Sequence, residues 1–453
     1  MLLFYTGYFW ISIPVLSNKN GEARPPDGWF VYTTLLTKWY MILYNHDMNV
    51  HDRIVEQNIH WQRMPFSVPT GKRDMYKSLQ ASLDSPLMTF LYGARRTGKS
   101  ILLKQLVNHL VTNTRVPPSQ ILFFEFLPKD ERDSIGAVYR YFTQNKALNS
   151  GKTYLFFDEI QVVAGFEIAL KELYDRLDQT NTKIVITGSP SISYKRTMAE
   201  SLAGRYIPYR LFPLNFREYL RLSASPVSLS LGHDHLIRMG ALERLNREFK
   251  RFLTCGRLPQ MLSMSEMEQS YYLDATIDAS ITRDAFDYFT IQNPGALSGL
   301  YTYICQNNGQ IATKESLAHA SGVSRITIAK YLDVLELMGL VYIIYNSTNP
   351  FIRLNSARKI YVSSMQGIKH SRHDPQTAFG FATESYILER LLERNELVTF
   401  YRNRTREIDF LLPKKKIAYE VKYRPSAGQP KAILPDYQLT VVSYQGSTPA
   451  CLF

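Results

Sequence analysis

Eight residues, Gly93 to Ser100, read GARRTGKS, and this G-x-x-x-x-G-K-S spacing suits a loop that holds phosphate. Glycines let backbone N–H groups curl around phosphate oxygens, and a helix starting at the loop points its positive end at them. Lys99 can reach the outer phosphates, and the Ser100 hydroxyl can ligate Mg²⁺. The expected contact set is Gly93, Ala94, Arg95, Arg96, Thr97, Gly98, Lys99, Ser100 and Ile101. Arg95 and Arg96 are equally readable as solvent-facing. An apolar run, Leu87 to Tyr92, precedes the loop. Apolar residues at helical spacing (Ile101, Leu102, Leu103, Leu106, Val107, Leu110) follow it.

A phosphate loop works with a carboxylate on a neighbouring strand tip. Tyr154 to Gln161 reads YLFFDEIQ, an apolar strand ending in Asp158 and Glu159. Asp158 would hold Mg²⁺ directly or through water, and Glu159 would orient or deprotonate an attacking water. Lys183 to Ser191, KIVITGSPS, ends another strand at Thr187, Gly188 and Ser189. A polar group there could sense the terminal phosphate, and a strand-terminating turn explains the same residues. Arg205, after Gly204, could bring positive charge to the phosphates in cis or in a neighbouring subunit. An ordinary surface arginine is the alternative.

A second constellation lies near the C-terminus. Glu384 sits in an amphipathic helix pattern, Phe381 to Glu393. Asp409 lies in the strand-like REIDFLL, and Glu420 and Lys422 in IAYEVKYR. Side chains alternate along a strand, so Glu420 and Lys422 share a face, and a hairpin brings Asp409 beside them. Glu384, Asp409 and Glu420 could hold Mg²⁺ or Mn²⁺, with Lys422 orienting the attacking water. A structural ion-pair cluster is the competing reading. From Arg402 to Arg424 eight basic residues face three acidic ones (8 − 3 = +5), which suits phosphate-backbone contact.

The elements that position these groups point to an α/β chain. From Phe66 to about Tyr219, strand-like runs alternate with helical patterns, so a mainly parallel sheet with helices on both faces is expected. Its strands would be Leu87–Tyr92, Ile121–Phe126, Tyr154–Phe157 and Ile184–Thr187. Residues 221–300 read as a helical lid or connector, with Arg283 and Asp284 as a structural ion pair. Residues 311–345 read as two helices joined at Gly322, the second capped by Ser324, then a strand from Leu340 to Tyr345. That is a helix-turn-helix with a wing. Arg325, Thr327 and Lys330 would face outward, toward DNA or toward a protein partner. The expected segments are 1–47 (an atypical extension), 48–220 (the phosphate-loop domain), 221–300, 301–350 (the winged helix) and 351–453 (the carboxylate domain).

The chain has 453 residues and a formal net charge of +13, which favours a polyanionic partner such as nucleic acid. Cys255, Cys305 and Cys451 are scattered and odd in number, arguing against a disulfide framework or a cysteine zinc site and for a reducing, cytoplasmic location. Met1 to Leu16 and Trp29 to Tyr44 are apolar, the second interrupted by Lys38. The first is shorter than a membrane span needs. These residues are expected to be either a membrane-associating arm or an upstream extension, with translation starting near Met41 or Met48; membrane attachment is the less favoured reading.

Taken in order, GARRTGKS, FFDEIQ, TGSPS, LAGR and PLNFREYL resemble a prokaryotic group of AAA-type P-loop ATPases. In that group a winged-helix region and a nuclease-like domain follow the ATPase. EQNIHW, Glu56 to Trp61, is similar to the group's start, and CGRLPQ, Cys255 to Gln260, to one of its turns. The resemblance covers roughly residues 50–425 and implies a P-loop NTPase fold, ATP and Mg²⁺ as cofactors, and hydrolysis. Glu384, Asp409, Glu420 and Lys422 resemble the E…D-x(10)-E-x-K pattern of the PD-(D/E)XK nuclease superfamily. The Pro-rich PSAGQPKAILP after Arg424 departs from it. Two functions fit: an ATPase that binds and cleaves DNA, or an ATP-driven switch whose C-terminal part binds protein, alone or as a homo-oligomer.

Overall fold

Short, continuous apolar runs favour strands buried on both faces, and each of the four runs expected as a strand forms one. In the computed structural model these are β3 (Met88–Gly93), β4 (Ile121–Glu125), β5 (Thr153–Asp158) and β6 (Thr182–Gly188). A fifth strand, β7 (Tyr206–Leu211), was not foreseen. It is half-exposed and carries Pro208, as an edge strand tolerates. The order is β4-β5-β6-β3-β7, parallel throughout, which is the P-loop NTPase α/β arrangement. The structure describes residues 2–5, 10–13, 49–146, 151–189, 200–225, 239–254, 257–285, 289, 291, 293–347, 357–366, 374–394, 396–404, 406–422 and 436–443.

Two compact units divide between Asn58 and Ile59. The first contains an antiparallel pair, β1 (Leu2–Tyr5) with β2 (Trp10–Ile13), and the helix Val50–Gln57, whose N-cap Asn49 accepts from Asp52 N–H at 2.9 Å. The apolar stretch Trp29 to Tyr44 lies outside the described residues. Among the described residues no helix is long and apolar enough to cross a membrane.

In the second unit, the helix Lys99–Thr112 buries Leu102, Leu103, Leu106, Val107 and Leu110 against the parallel sheet. Beyond the sheet come helices Phe216–Leu222, Met239–Thr254 and Glu266–Ala279, the last continuing into a π-helical turn, Ser280–Asp284. Helices Pro294–Gln306, Lys314–Ser321 and Arg325–Leu337 then pack with a three-stranded antiparallel sheet. Its order is β8 (Ile311–Ala312), β10 (Arg358–Val362), β9 (Val341–Tyr345). Ser324 caps the Arg325–Leu337 helix by accepting from Thr327 N–H at 3.1 Å, as its sequence position suggested.

The C-terminal part is a further α/β region. The helix Pro375–Glu393 starts at Asp374, which accepts from Gln376 and Thr377 N–H at 3.0 and 3.1 Å. It packs on a sheet ordered β11 (Thr399–Arg402), β12 (Glu407–Leu412), β13 (Ile417–Lys422), β14 (Gln438–Ser443), with β14 parallel to β13. The stretch 425–435, PSAGQPKAILP, lies outside the described residues. One aromatic core joins Phe216 and Tyr219 to Phe249, Phe252 and Tyr386. The helix after the sheet, the connector and the C-terminal helix are thus packed as one piece.

Candidate nucleotide site and C-terminal carboxylate cluster

The loop Gly93–Ser100 leaves the tip of β3 and enters the Lys99–Thr112 helix. Gly93 faces the carbonyl of Leu211 so closely that a Cβ would lie 2.3 Å from it, so only glycine lets β3 and β7 run together there. Gly98 turns the chain with φ +103°, a left-handed value that glycine adopts without strain. Thr97 Oγ1 donates to Ala94 O at 2.8 Å, and Lys99 Nζ donates to Gly93 O and Ala94 O at 3.0 and 3.2 Å. The loop is thus folded around its own lysine. Ser100 is partly buried, and the Ile101 side chain points out of the helix into solvent.

Asp158 ends β5, fully buried. Its Oδ1 accepts from Thr187 Oγ1, its Oδ2 has no hydrogen-bond partner, and the Ser100 hydroxyl and Lys99 ammonium stabilise its charge. Burial, with Glu159 beside it, still pushes its pKa up. An orphaned oxygen on a buried carboxylate that a serine hydroxyl also stabilises fits a hydrated Mg²⁺, which takes one or two protein ligands and otherwise keeps water and phosphate. Glu159 follows in a left-handed conformation, φ +54°. Its N–H donates to Thr187 Oγ1 at 3.0 Å and its carboxylate accepts from Gln161 Nε2. Gln161 Oε1 in turn receives Ser189 N–H at 3.3 Å. Thr187 and Ser189 are therefore wired to the carboxylates, beyond what a strand-ending turn requires. Pro190 and Ser191 lie outside the described residues. A cavity of about 330 Å³ opens here, lined by Gly93, Lys99, Glu159, Ser189, Asp284 and Met338 among others. That volume suits a small ligand.

Of the loop arginines Arg95 is exposed and Arg96 half-buried, and both have partners on the helical region. Arg95 pairs with Asp284 at 2.6 Å, and Arg96 donates to Thr276 Oγ1 at 2.7 Å while lying over the Tyr272 ring. Asp284 therefore pairs with the loop; the Arg283 side chain, its expected partner, lies outside the described residues. Ala94 belongs to the same buried cluster as Leu258, Met261, Ile277 and Met338, so the helical region closes one side of the loop.

Arg205 is a correction as a cis phosphate contact. Its carbonyl accepts from Met88 N–H, at the start of β3, and the phosphate loop leaves the far end of that strand. Five residue steps of strand, about 17 Å, separate the two ends. Its guanidinium binds both oxygens of Asp175, at 2.8 and 3.1 Å.

The C-terminal residues are brought near one another, but not as expected. Among the described residues no three His, Cys, Asp or Glu side chains gather where they could share a metal ion. Asp409 accepts from Val421 N–H at 3.0 Å through Oδ2 and from Lys359 Nζ at 3.1 Å through Oδ1. Lys359 also meets Glu407 Oε1 at 2.6 Å. Glu384 accepts from Tyr361 O–H at 2.9 Å, and its pKa is pushed up to about 8, first by burial and then by the Asp409 charge. Glu420 and Lys422 pair with each other at 3.0 Å. The cation among these carboxylates is the buried Lys359 ammonium, from β10.

Three residues escaped sequence reasoning. Arg73, which donates to Thr97 O of the phosphate loop at 2.7 Å, and Lys359 are single basic residues whose partners lie far along the chain, so no local pattern marks them. Gln161, two residues after Glu159, was visible as a polar group beside the strand tip.

Residues 85–220 match a family model described as an AAA domain, and residues 246–365 match one described as a domain of unknown function. The first stretch is thus similar to AAA domains and carries the parallel sheet and phosphate loop described above. An uncharacterized protein of Methanocaldococcus jannaschii is 27% identical over 398 residues, 82% of this chain and 77% of that protein. An uncharacterized protein of Haemophilus influenzae is 24% identical over 360 residues, 75% of this chain and 84% of that one. Among solved structures, the Walker-type ATPase PABY2304 of Pyrococcus abyssi gives a TM-score of 0.40 at 16% identity, covering 68% of this chain and 98% of that chain. The Aeropyrum pernix Orc1 protein, solved in complex with DNA, gives 0.32 at 14% identity, covering 73% and 98%. Both scores are low.

Proposed function

We propose that this chain is a cytoplasmic ATPase that hydrolyses ATP at the Gly93–Ser100 loop and binds DNA through the residue 311–345 segment. The observation that carries the reading is Asp158, buried at a strand tip with one oxygen held by Thr187 and the other unpartnered, its charge stabilised by Ser100 and Lys99. Ser100 and Asp158 would hold Mg²⁺, which when bound would neutralise phosphate charge. Backbone N–H groups of residues 94–101 receive the phosphates. Lys99 exchanges its carbonyl partners for phosphate oxygens. Glu159, aimed by Gln161 and by its own N–H bond to Thr187, orients a water and takes its proton. Thr187 and Ser189 register the terminal phosphate through that same wiring. Arg205 is kept only as a contact to a neighbouring subunit.

The DNA part rests on topology and charge. Two short helices joined at Gly322 (φ +69°), followed by the β9–β10 pair, have the winged-helix order. Arg325, Ile326 and Lys330 are exposed along one helix, while Thr327 is taken up in the cap with Ser324. The surface pair Arg325–Glu315, 3.1 Å, is weak enough for phosphate to displace. Filter binding across a salt series tests this: affinity should fall steeply with salt, and no binding at low salt would overturn it.

One observation favours the second reading, a switch whose C-terminal part is a protein-binding module without nuclease activity. Lys359 already neutralises Asp409, one of the carboxylates on which the nuclease reading places a metal.

A further inference from the structure

Arg73 is an arginine in the short segment before the helix Met75–Ser82, and it is buried. Its three outer nitrogens each have one partner. Nε donates to Glu218 Oε1 at 2.8 Å, Nη2 to Phe212 O at 2.9 Å, and Nη1 to Thr97 O at 2.7 Å. The last of these belongs to the phosphate loop. Glu218 is itself fixed, because it accepts from Asp74 N–H at 2.7 Å and from Asn215 N–H at 3.0 Å in a capping box. The guanidinium is thus a rigid fork anchored at two points behind the loop, with its third point on the loop.

The peptide joining Thr97 to Gly98 is planar and trans, so its C=O and its N–H point in opposite directions. Fixing Thr97 O on the Arg73 side therefore fixes Gly98 N–H on the other. Gly98 has φ +103° and no Cβ, so no side chain of its own restrains that peptide plane. The same loop encloses Lys99 Nζ through Gly93 O and Ala94 O, where phosphate would sit.

We infer that Arg73 is a positioning residue for nucleotide binding: it aims the Gly98 N–H at the phosphates by holding the Thr97 carbonyl from behind. This rests on the ATP reading of the loop. Arg73 touches no nucleotide atom itself. It also joins the loop to the helix Phe216–Leu222, and through the aromatic core to the C-terminal helix, so a change in the loop's peptide plane has a direct mechanical route outward.

The test compares wild type, Glu218→Gln, Arg73→Met/Glu218→Gln and Arg73→Lys, with a fluorescent ATP analogue for affinity and steady-state hydrolysis for KM and kcat. Glu218→Gln keeps Arg73 on Thr97 and should stay within about threefold of wild type. The double variant removes both buried charges together and should lose about tenfold or more in affinity, as expected for losing one charge-assisted contact to phosphate. KM should rise with affinity while kcat at saturation changes less. Arg73→Lys, which keeps the charge but cannot reach three acceptors, should show the same split, and it decides the matter if the double variant does not fold. Double-variant or lysine-variant affinity equal to that of Glu218→Gln overturns the role of Arg73. A wild-type protein that binds no nucleotide overturns the ATP reading instead.

Discussion

Replacing Lys359 by methionine removes a cation buried against Asp409 and Glu407. Lys359 Nζ sits 2.6 Å from Glu407 Oε1 and 3.1 Å from Asp409 Oδ1. Removing one partner of a buried ion pair costs about 3–5 kcal/mol, because the remaining charge is left desolvated. Glu407 is 37% exposed and regains water, so its share falls toward the 0–1 kcal/mol of a surface pair. Asp409, 17% exposed, retains most of its penalty. The expected loss for Lys359→Met is therefore near the lower end, about 3 kcal/mol, read as a fall in the urea midpoint. Adding Asp409→Asn to that variant should restore at least about 1 kcal/mol, since the stranded charge is gone. The same contact occupies an Asp409 oxygen on which the nuclease reading would place a metal. Manganese electron paramagnetic resonance on nucleotide-free wild type should show no bound ion that Asp409→Asn abolishes. A Lys359→Met variant within about 0.5 kcal/mol of wild type would refute the reasoning. So would an Asp409-dependent manganese site in wild type.

His60 is buried, its Nε2 against Ile121 O at 3.0 Å and its Nδ1 unpartnered, and burial lowers its pKa to about 4. The unfolded chain then binds a proton that the folded one refuses, so stability should be flat above pH 6.5 and fall between pH 6.5 and about 4, by roughly 3 kcal/mol in all. Urea midpoints across that window should lose this slope in His60→Gln. Gly93→Ala places a methyl 2.3 Å from Leu211 O, and the clash is with backbone that cannot swing away. Loss of about 1–3 kcal/mol and of nucleotide affinity is expected by thermal shift and ligand titration; unchanged affinity would show that β7 yields.

The loop and its partner strand were legible because their chemistry is local. GARRTGKS carries its own turn, lysine and serine, and each flanking strand is a continuous apolar run. The strand β7 was missed because Tyr206–Leu211 is half-exposed and contains a proline, so neither alternation nor an apolar run announces it. With β7 unread, nothing revealed that Arg205 starts it, at the end of the sheet away from the phosphates. The Ser324 cap and the Gly322 turn were readable from a few adjacent residues. Glu384, Asp409 and Glu420 were readable as types and spacings, but the lysine that engages Asp409 comes from a different sheet, 50 residues earlier. Long-range partners of this kind, Arg73 with Thr97 and Glu218 included, leave no local periodicity to find.

The central claim is ATP hydrolysis by Glu159 at a loop that binds through Lys99. Steady-state phosphate release and nucleotide affinity should be measured together on wild type, Lys99→Ala and Glu159→Gln, with Mg²⁺ and with and without DNA. The account predicts hydrolysis by wild type, loss of binding in Lys99→Ala, and retained binding with turnover reduced at least about a hundredfold in Glu159→Gln. Undiminished turnover in both variants would contradict it.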